Sequence, residues 1–323
     1  MNNFNTPQLR ICVTPMCNLS CKHCRAGGEG YGENLDDIMS EKEISKVLEI
    51  AKQVGFDCVK FTGGEPFIRK DILKLTKNAH EIGFSDIQVV TNGTLIEQQI
   101  EEIKNSHINM LTVSLDAIEN SKHQEMRGIN VYGILDNISK CRDAGINVRI
   151  NMILDKNNFN QLPLMLNFAE EQGCSLKLLD LLKFEHSIKF WKESFLNFAE
   201  VRKHLENIGA LYIGEEEAPG GIGAPLLEYL LNGKLSILLK DSIIGTYYHS
   251  TCEDCKYYPC QDALISVRVT HDGKLKRCLI RNDNMVDILS HIRNNEIDKA
   301  IILTTQVFQI MIDSKYCPYM FKV

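Results

Sequence analysis

Six short apolar runs recur along the first two hundred residues, each followed by a helix-like stretch, and no other feature narrows the fold as much. The runs are Leu9–Thr14, Cys58–Thr62, Asp86–Thr91, Met110–Leu115, Asn147–Ile153 and Leu176–Leu181. They are short and often β-branched, as strands buried in a parallel sheet should be. Helical periodicity fills the gaps. Ser40 and Glu43 make a capping box, and Ile44, Val47, Leu48, Ala51 and Val54 form one apolar stripe that ends at Gly55. Similar patterns cover 72–83, 95–105, 134–145 and 162–173, three of them closing on Gly83, Gly145 and Gly173. Six β/α units predict an α/β fold, a parallel sheet with helices outside. The pattern alone fits an open doubly wound sheet or a curved partial barrel. In both, functional loops emerge at the C-terminal ends of the strands.

The chemistry-bearing residues fall at those ends. Cys17, Cys21 and Cys24 follow the first strand in the spacing C-x3-C-x2-C. Three thiolates this close can hold one soft metal centre. They are one ligand short of a four-iron cubane, so one iron would stay open. Zinc is the alternative, but it needs a fourth ligand, and His23 lies between two of the cysteines, poorly placed to join them. Gly63-Gly-Glu-Pro66 follows the second strand. Gly63 and Gly64 would let backbone approach a ligand closely. Glu65 offers a carboxylate to an ammonium group, and Pro66 stiffens the turn. Taken alone, this is a plain βα turn. Asn92-Gly93 follows the third strand, and Asp116 the fourth.

After about residue 185 the alternation stops. Phe190 to Ile208 reads as an amphipathic helix, and 215–223 as an acidic, glycine-rich loop. A second cysteine group, Cys252-x2-Cys255-x4-Cys260 with Cys278, follows. A hairpin over Ile265–Thr270 and Lys274–Leu279 is expected around it, because Asp272-Gly273 is a strong turn signal. The expected organisation is a barrel over 1–185, a helical connecting segment over 186–250 and a smaller cysteine-rich domain over 251–323.

Twelve cysteines need an explanation in a chain with no signal-peptide pattern and no long apolar run. Both absences predict a cytoplasmic protein, where disulfides are rare. Cys12, Cys58, Cys141 and Cys174 sit in apolar surroundings and read as core residues. The net charge of −6 gives no global basic field for nucleic acid, and no membrane partner is expected.

The cysteine triplet together with Thr62-Gly-Gly-Glu-Pro66 resembles the radical S-adenosylmethionine (SAM) superfamily, over roughly residues 8–185. The resemblance implies a partial (β/α)6 TIM-like barrel. It implies that Cys17, Cys21 and Cys24 carry a catalytic [4Fe–4S] cluster whose open iron chelates SAM. One electron then cleaves SAM to methionine and a 5′-deoxyadenosyl radical, which abstracts hydrogen from the substrate. Gly63, Gly64, Glu65, Pro66, Thr91, Asn92, Ser114 and Asn151 look like the family's SAM contacts. An electron donor such as flavodoxin or ferredoxin is implied as a partner.

Cys260-x12-Gly273-x4-Cys278 is similar to the opening of the SPASM and twitch domains. That implies an auxiliary [4Fe–4S] cluster on Cys252, Cys255, Cys260 and Cys278, with Cys317 as an alternative ligand. A zinc ribbon is the rival reading of the same residues.

Among radical SAM families the chain most resembles the MoaA-like GTP 3′,8-cyclases. It shares Leu9-Arg10-Ile-x-Val-Thr14, Thr62-Gly-Gly-Glu-Pro-Phe-Ile-Arg-Lys-Asp71 and Arg268-Val-Thr-x-Asp-Gly-Lys-Leu-x-x-Cys-Leu279. That family holds a triphosphate on basic residues, and Arg10, Lys60, Arg69, Lys156 and Arg268 stand at or near matching places. The departures are Ser266 in place of a paired arginine, wider spacing between Cys255 and Cys278, and a Phe321-Lys-Val323 end in place of Gly-Gly. They imply a MoaA-like enzyme with a changed, anionic or nucleotide-like small-molecule substrate. A peptide-modifying maturase is the second reading, weakened because no peptide-binding segment is read ahead of the first strand. A non-catalytic zinc-binding module is the third.

Overall fold

A computed structural model describes residues 7–24, 37–216, 225–262, 264 and 266–319. Six strands alternate with helices as the apolar runs predict: β1 (Gln8–Cys12), α1 (Glu41–Val54), β2 (Cys58–Thr62), α2 (Ile72–Ile82), β3 (Asp86–Thr91), α3 (Ile100–Lys104), β4 (Met110–Ser114), α4 (Asn120–Arg127), α5 (Tyr132–Asp143), β5 (Val148–Leu154), α6 (Leu162–Glu171) and β6 (Ser175–Asp180). The Ser40–Glu43 capping box forms, and Gly55 ends α1 in the left-handed region at φ 119°. Strands β1 to β6 are parallel and pair in chain order. Helices cover the outside, and one large core joins the two layers.

The region from 186 to 250 corrects the expectation of a helical connector. The predicted long helix breaks into α7 (Ile188–Ser194) and α8 (Phe198–Asn207). Three strands follow, β7 (Leu211–Glu216), β8 (Leu226–Leu231) and β9 (Leu235–Lys240), as an antiparallel set. The missed signal is local. Asn232 and Gly233, at φ 54° and 67°, make the tight turn between two apolar runs, the Asn-Gly hairpin signature. Strand β9 then lies parallel to β6.

The chain next forms β10 (Gly245–Tyr248), β11 (Ser266–Val269), β12 (Lys274–Lys276), β13 (Val286–Asp287), α9 (Leu289–Arg293), α10 (Ile297–Ile312) and β14 (Lys315–Pro318). The expected hairpin is β11–β12, and β11 runs parallel to β1. Sheet order is therefore β13-β12-β11-β1-β2-β3-β4-β5-β6-β9-β8-β7. The eight strands from β11 to β9 run parallel. The later segments continue the barrel sheet at both edges, covering backbone donors and acceptors that β1 and β6 would otherwise leave open. Among the described residues the two ends of the sheet are not hydrogen-bonded to each other, so the barrel is partial. Strands β10 and β14 form a separate antiparallel pair. Among the described residues no helix is long and apolar enough to cross a membrane.

Candidate active site

The C-terminal ends of the parallel strands surround a cavity of about 320 Å³. Cys17, Cys21 and Cys24 line it. The loop that carries them is held by backbone: Val13 N–H donates to Thr62 O at 2.8 Å, Gly64 N–H to Thr14 O at 2.8 Å and Glu65 N–H to Met16 O at 2.8 Å. Here the glycines find their reason. A Cβ on Gly64 would stand 2.1 Å from Met16 O, and one on Gly63, at φ 159°, 2.4 Å from Thr14 O. The pair is small because it lies flat against the cysteine loop, and both glycines also line the cavity.

Glu65 departs from its expected role. Its side chain is fully buried. The carboxylate accepts from Phe67 N–H at 3.0 Å, from the Thr91 hydroxyl at 2.8 Å and from Asn92 N–H at 2.6 Å. Neither Glu65 nor Pro66 lines the cavity. Glu65 ties the β2 loop to the β3 loop, with its oxygens occupied by donors of the protein itself. Burial pushes its pKa up, against those three hydrogen bonds. Thr91, Asn92, Ser114 and Asn151 do line the cavity. Asn92 reaches the cysteine loop, donating to Asn18 Oδ1 at 2.8 Å and lying 3.8 Å from Cys17 Sγ.

Behind the cysteines stands a buried ion pair between Asp116, which the sequence pattern sets at the end of the fourth strand, and Arg127, which no sequence pattern singles out. Arg127, from the last turn of α4, donates to Asp116 at 2.7 Å and lies 4.0 Å from Cys21 Sγ. Asp116 also accepts from Ile153 N–H at 3.0 Å, and His23 Nε2 stands 3.8 Å away. Burial raises the Asp116 carboxyl, but Arg127 and His23 outweigh it and hold the pKa low. Burial pushes the Cys21 thiol up to about 11, opposed by Arg127. His23 turns to Asp116, and burial lowers its pKa.

Part of the cavity wall is basic. Arg268, Arg10 and Lys60 stand side by side in register on β11, β1 and β2, and all three line the cavity. Arg149, Lys177 and Lys240 join them from β5, β6 and β9. Like charges on neighbouring strands are unfavourable. Their cost shows at Lys177, whose pKa lies well below the ordinary value through burial and repulsion from Lys60, Arg149, Arg10 and Lys240. Thr112 Oγ1, Asn151 Oδ1 and Arg268 Nε are buried in this wall without hydrogen-bond partners among the described residues.

Two expected substrate ligands lie elsewhere. Arg69 donates to Val13 O at 2.9 Å and Met39 O at 2.7 Å and pairs with Asp71; it fastens loops. Lys156 is exposed and does not line the cavity. Arg149 and Lys177 had a readable signal, since each alternates with apolar neighbours along its strand. Lys240 had none until β9 was recognised.

Cys252, Cys255, Cys260 and Cys278 line a second, smaller cavity together. Cys317 is not among its lining residues. Among the described residues no three His, Cys, Asp or Glu side chains converge closely enough to grip a single ion. A four-iron cluster is much larger than one ion, and its ligands stand apart around its corners.

Residues 11–169 match the family model described as Radical SAM superfamily. Those residues carry a radical SAM domain, and the chain is a radical SAM enzyme, a class built around SAM and a four-iron cluster. Within it, the chain is similar to curated proteins named probable GTP 3′,8-cyclase. One from Methanococcus aeolicus is 27% identical over 317 residues, covering 94% of this chain and 95% of the relative. One from Pyrococcus horikoshii is 29% identical over 312 residues, covering 94% and 93%. Among solved structures, Streptococcus suis SuiB bound to S-adenosylmethionine shares the fold at TM-score 0.64 and 17% identity. That match covers 88% of this chain and 64% of SuiB, so the chain spans just under two thirds of SuiB's length. Native anSMEcpe with bound AdoMet gives TM-score 0.60 at 15% identity, over 94% and 82% of the two chains.

Proposed function

We propose that this radical SAM enzyme acts on a small phosphate-bearing molecule of the nucleotide class. One observation carries the reading: three cysteine thiols and six basic side chains borne on the strands line a single cavity. Guanidinium and ammonium groups in a partly desolvated wall suit phosphate oxygens. The naming of the relatives as probable GTP 3′,8-cyclases supports the same class. Cys17, Cys21 and Cys24 would hold the cluster that supplies reductive SAM cleavage. Gly63, Gly64, Thr91, Asn92, Ser114 and Asn151 would shape the SAM side of the cavity. Arg10, Lys60, Arg149, Lys177, Lys240 and Arg268 would bind the anionic part of the substrate.

Cys252, Cys255, Cys260 and Cys278 would hold an auxiliary four-iron cluster. Arg277 and Arg281 flank that cavity, Arg281 interacting with Cys255, and their charges offset those of thiolates. A cytoplasmic setting and an electron donor of the flavodoxin or ferredoxin class complete the reading.

The test is anaerobic turnover of the reconstituted protein with GTP and other nucleoside triphosphates, following 5′-deoxyadenosine. Nucleotide-dependent formation is expected. Formation stimulated by peptides and by no nucleotide would overturn the substrate class. Protein that binds zinc, holds no iron and yields no 5′-deoxyadenosine would overturn the catalytic reading.

A further inference from the structure

The cations of the basic wall are, with one exception, answered by the protein itself. Arg10 donates to Gln8 Oε1 at 3.2 Å and Arg149 to Ser175 Oγ at 3.3 Å. Arg268 pairs with Asp262 at 3.3 Å and Lys240 with Asp180 at 3.4 Å. Lys60 attracts the Asp86 carboxylate and opposes the burial that raises the pKa of that group. Lys177 is the exception. Its Nζ has no hydrogen bond and no carboxylate partner among the described residues, and the charges that act on it most are those of Lys60, Arg149, Arg10 and Lys240. Burial first, then these neighbours, pull its pKa well below the ordinary lysine value. An ordinary lysine is a neutral amine in only roughly one molecule in 2,500 at pH 7; Lys177 exceeds that share.

Its place in the sheet makes the amine usable. Lys177 is half-buried in the middle of β6 and lines the large cavity. Leu179 follows on the same face of the strand and lines the cavity as well. A lysine set among apolar and cationic neighbours is activated as a nucleophile. The strand register adds a second point. Ser114, Asn151 and Lys177 stand in one row across β4, β5 and β6. Two strand spacings put the Lys177 backbone roughly 10 Å from that of Ser114. A compound bonded to Nζ is then held beside the residues assigned above to the SAM side of the cavity.

We propose that Lys177 forms an imine with an anionic carbonyl compound of the aldehyde or 2-oxo acid class. The amine lone pair attacks the carbonyl carbon, and the C–N bond forms as the carbonyl electron pair moves to oxygen. Loss of water from the carbinolamine then breaks the C–O bond and leaves C=N. Both hydrogens of the amine leave in that water, so nothing is oxidised or reduced. Arg10, Lys60, Arg149, Lys240 and Arg268 hold the anionic group, and Lys177 is left to react. This activity stands beside the nucleotide reading and does not rest on it, because imine formation needs neither nucleotide nor cluster.

The test incubates full-length, anaerobically reconstituted protein with glyoxylate as the probe. Cyanoborohydride traps the imine by delivering hydride to its carbon, which leaves a stable secondary amine. Peptide mass spectrometry at pH 7 should find Lys177 labelled at least about ten-fold faster than the exposed Lys189 and Lys192, because more of it is neutral. Tripolyphosphate, competing for the same cations, should suppress that labelling. In Lys177→Arg, which keeps the charge and removes the amine, the tripolyphosphate-sensitive labelling should disappear rather than move to Lys60 or Lys240. Labelling of Lys177 no faster than that of the exposed lysines would overturn the proposal, as would faster labelling of Lys60 or Lys240. Nucleotide-dependent 5′-deoxyadenosine formation by protein whose Lys177 stays unlabelled would overturn it and leave the nucleotide reading standing. Rapid labelling of Lys177 in protein that turns over with no nucleotide would do the reverse.

Discussion

The two cysteine groups are built in opposite ways. Cys17, Cys21 and Cys24 lie within one short loop, and two of them are exposed toward the large cavity. Cys252, Cys255, Cys260 and Cys278 span a hairpin and a pinned intervening segment, and all four are half-buried around a small cavity. The first group is local in sequence and open in space. The second is spread over a longer stretch of sequence and half-buried. A set of three would leave room for a small molecule to complete the coordination of a cluster. A set of four would complete it from the chain itself.

The firmest way to break this contrast is to empty one end. Replacing Cys17, Cys21 and Cys24 by Ala together should abolish 5′-deoxyadenosine formation, while the iron proposed for the C-terminal cysteines should stay bound. Product release without the N-terminal triplet would show that the two sites had been assigned the wrong way round.

Arg127→Ala tests what supports the open loop. It strands the buried Asp116 carboxylate without its partner. Breaking a buried pair in this way costs roughly 3–5 kcal/mol, so thermal unfolding should drop by many degrees. A melting temperature within a degree of wild type would show that the ion pair does not brace the cysteine loop.

Glu65→Gln sharpens the point about the GGEP turn. A neutral amide cannot satisfy the three donors that the carboxylate now meets. Loss of buried hydrogen bonds of this kind costs about 1–3 kcal/mol. Stability should fall by that amount in urea unfolding. A loss of SAM affinity with stability untouched would instead return Glu65 to the ligand.

The smallest expected effect is at the basic wall. Lys177→Met should weaken inorganic tripolyphosphate binding by about ten-fold, roughly 1.4 kcal/mol, read by calorimetry. The pH dependence has a definite sign. The depressed pKa of Lys177 means that an incoming anion restores its proton, so affinity should fall as pH rises through the depressed value. In the ligand-free protein the unfolded chain binds the extra proton between the depressed and the ordinary pKa. The contribution of Lys177 to stability therefore rises with pH across that window. Binding that neither takes up protons nor responds to Lys177→Met would place the anion site elsewhere.

Much of this molecule is written in local pattern. The six strands, the α1 capping box, the cysteine loop and the β11–β12 hairpin each follow from residues within a few positions of one another, because hydrophobic period, caps and turns are short-range properties. The Asn232-Gly233 hairpin was equally local and equally readable. Other features had no local signature. Glu65 and a SAM-facing carboxylate look alike in sequence, and only the packing of β2 against β3 turned the side chain inward. Arg69 and Lys156 carried the right charge at the right strand ends, yet one fastens loops and the other faces solvent. Arg149, Lys177 and Lys240 became one wall only when β9 joined β6 and the barrel curved. Sequence determined which chemical groups stand at which strand ends, since alternation fixes that. Tertiary structure decided which of those groups face a common cavity, because a side chain's direction depends on what the rest of the chain packs against it.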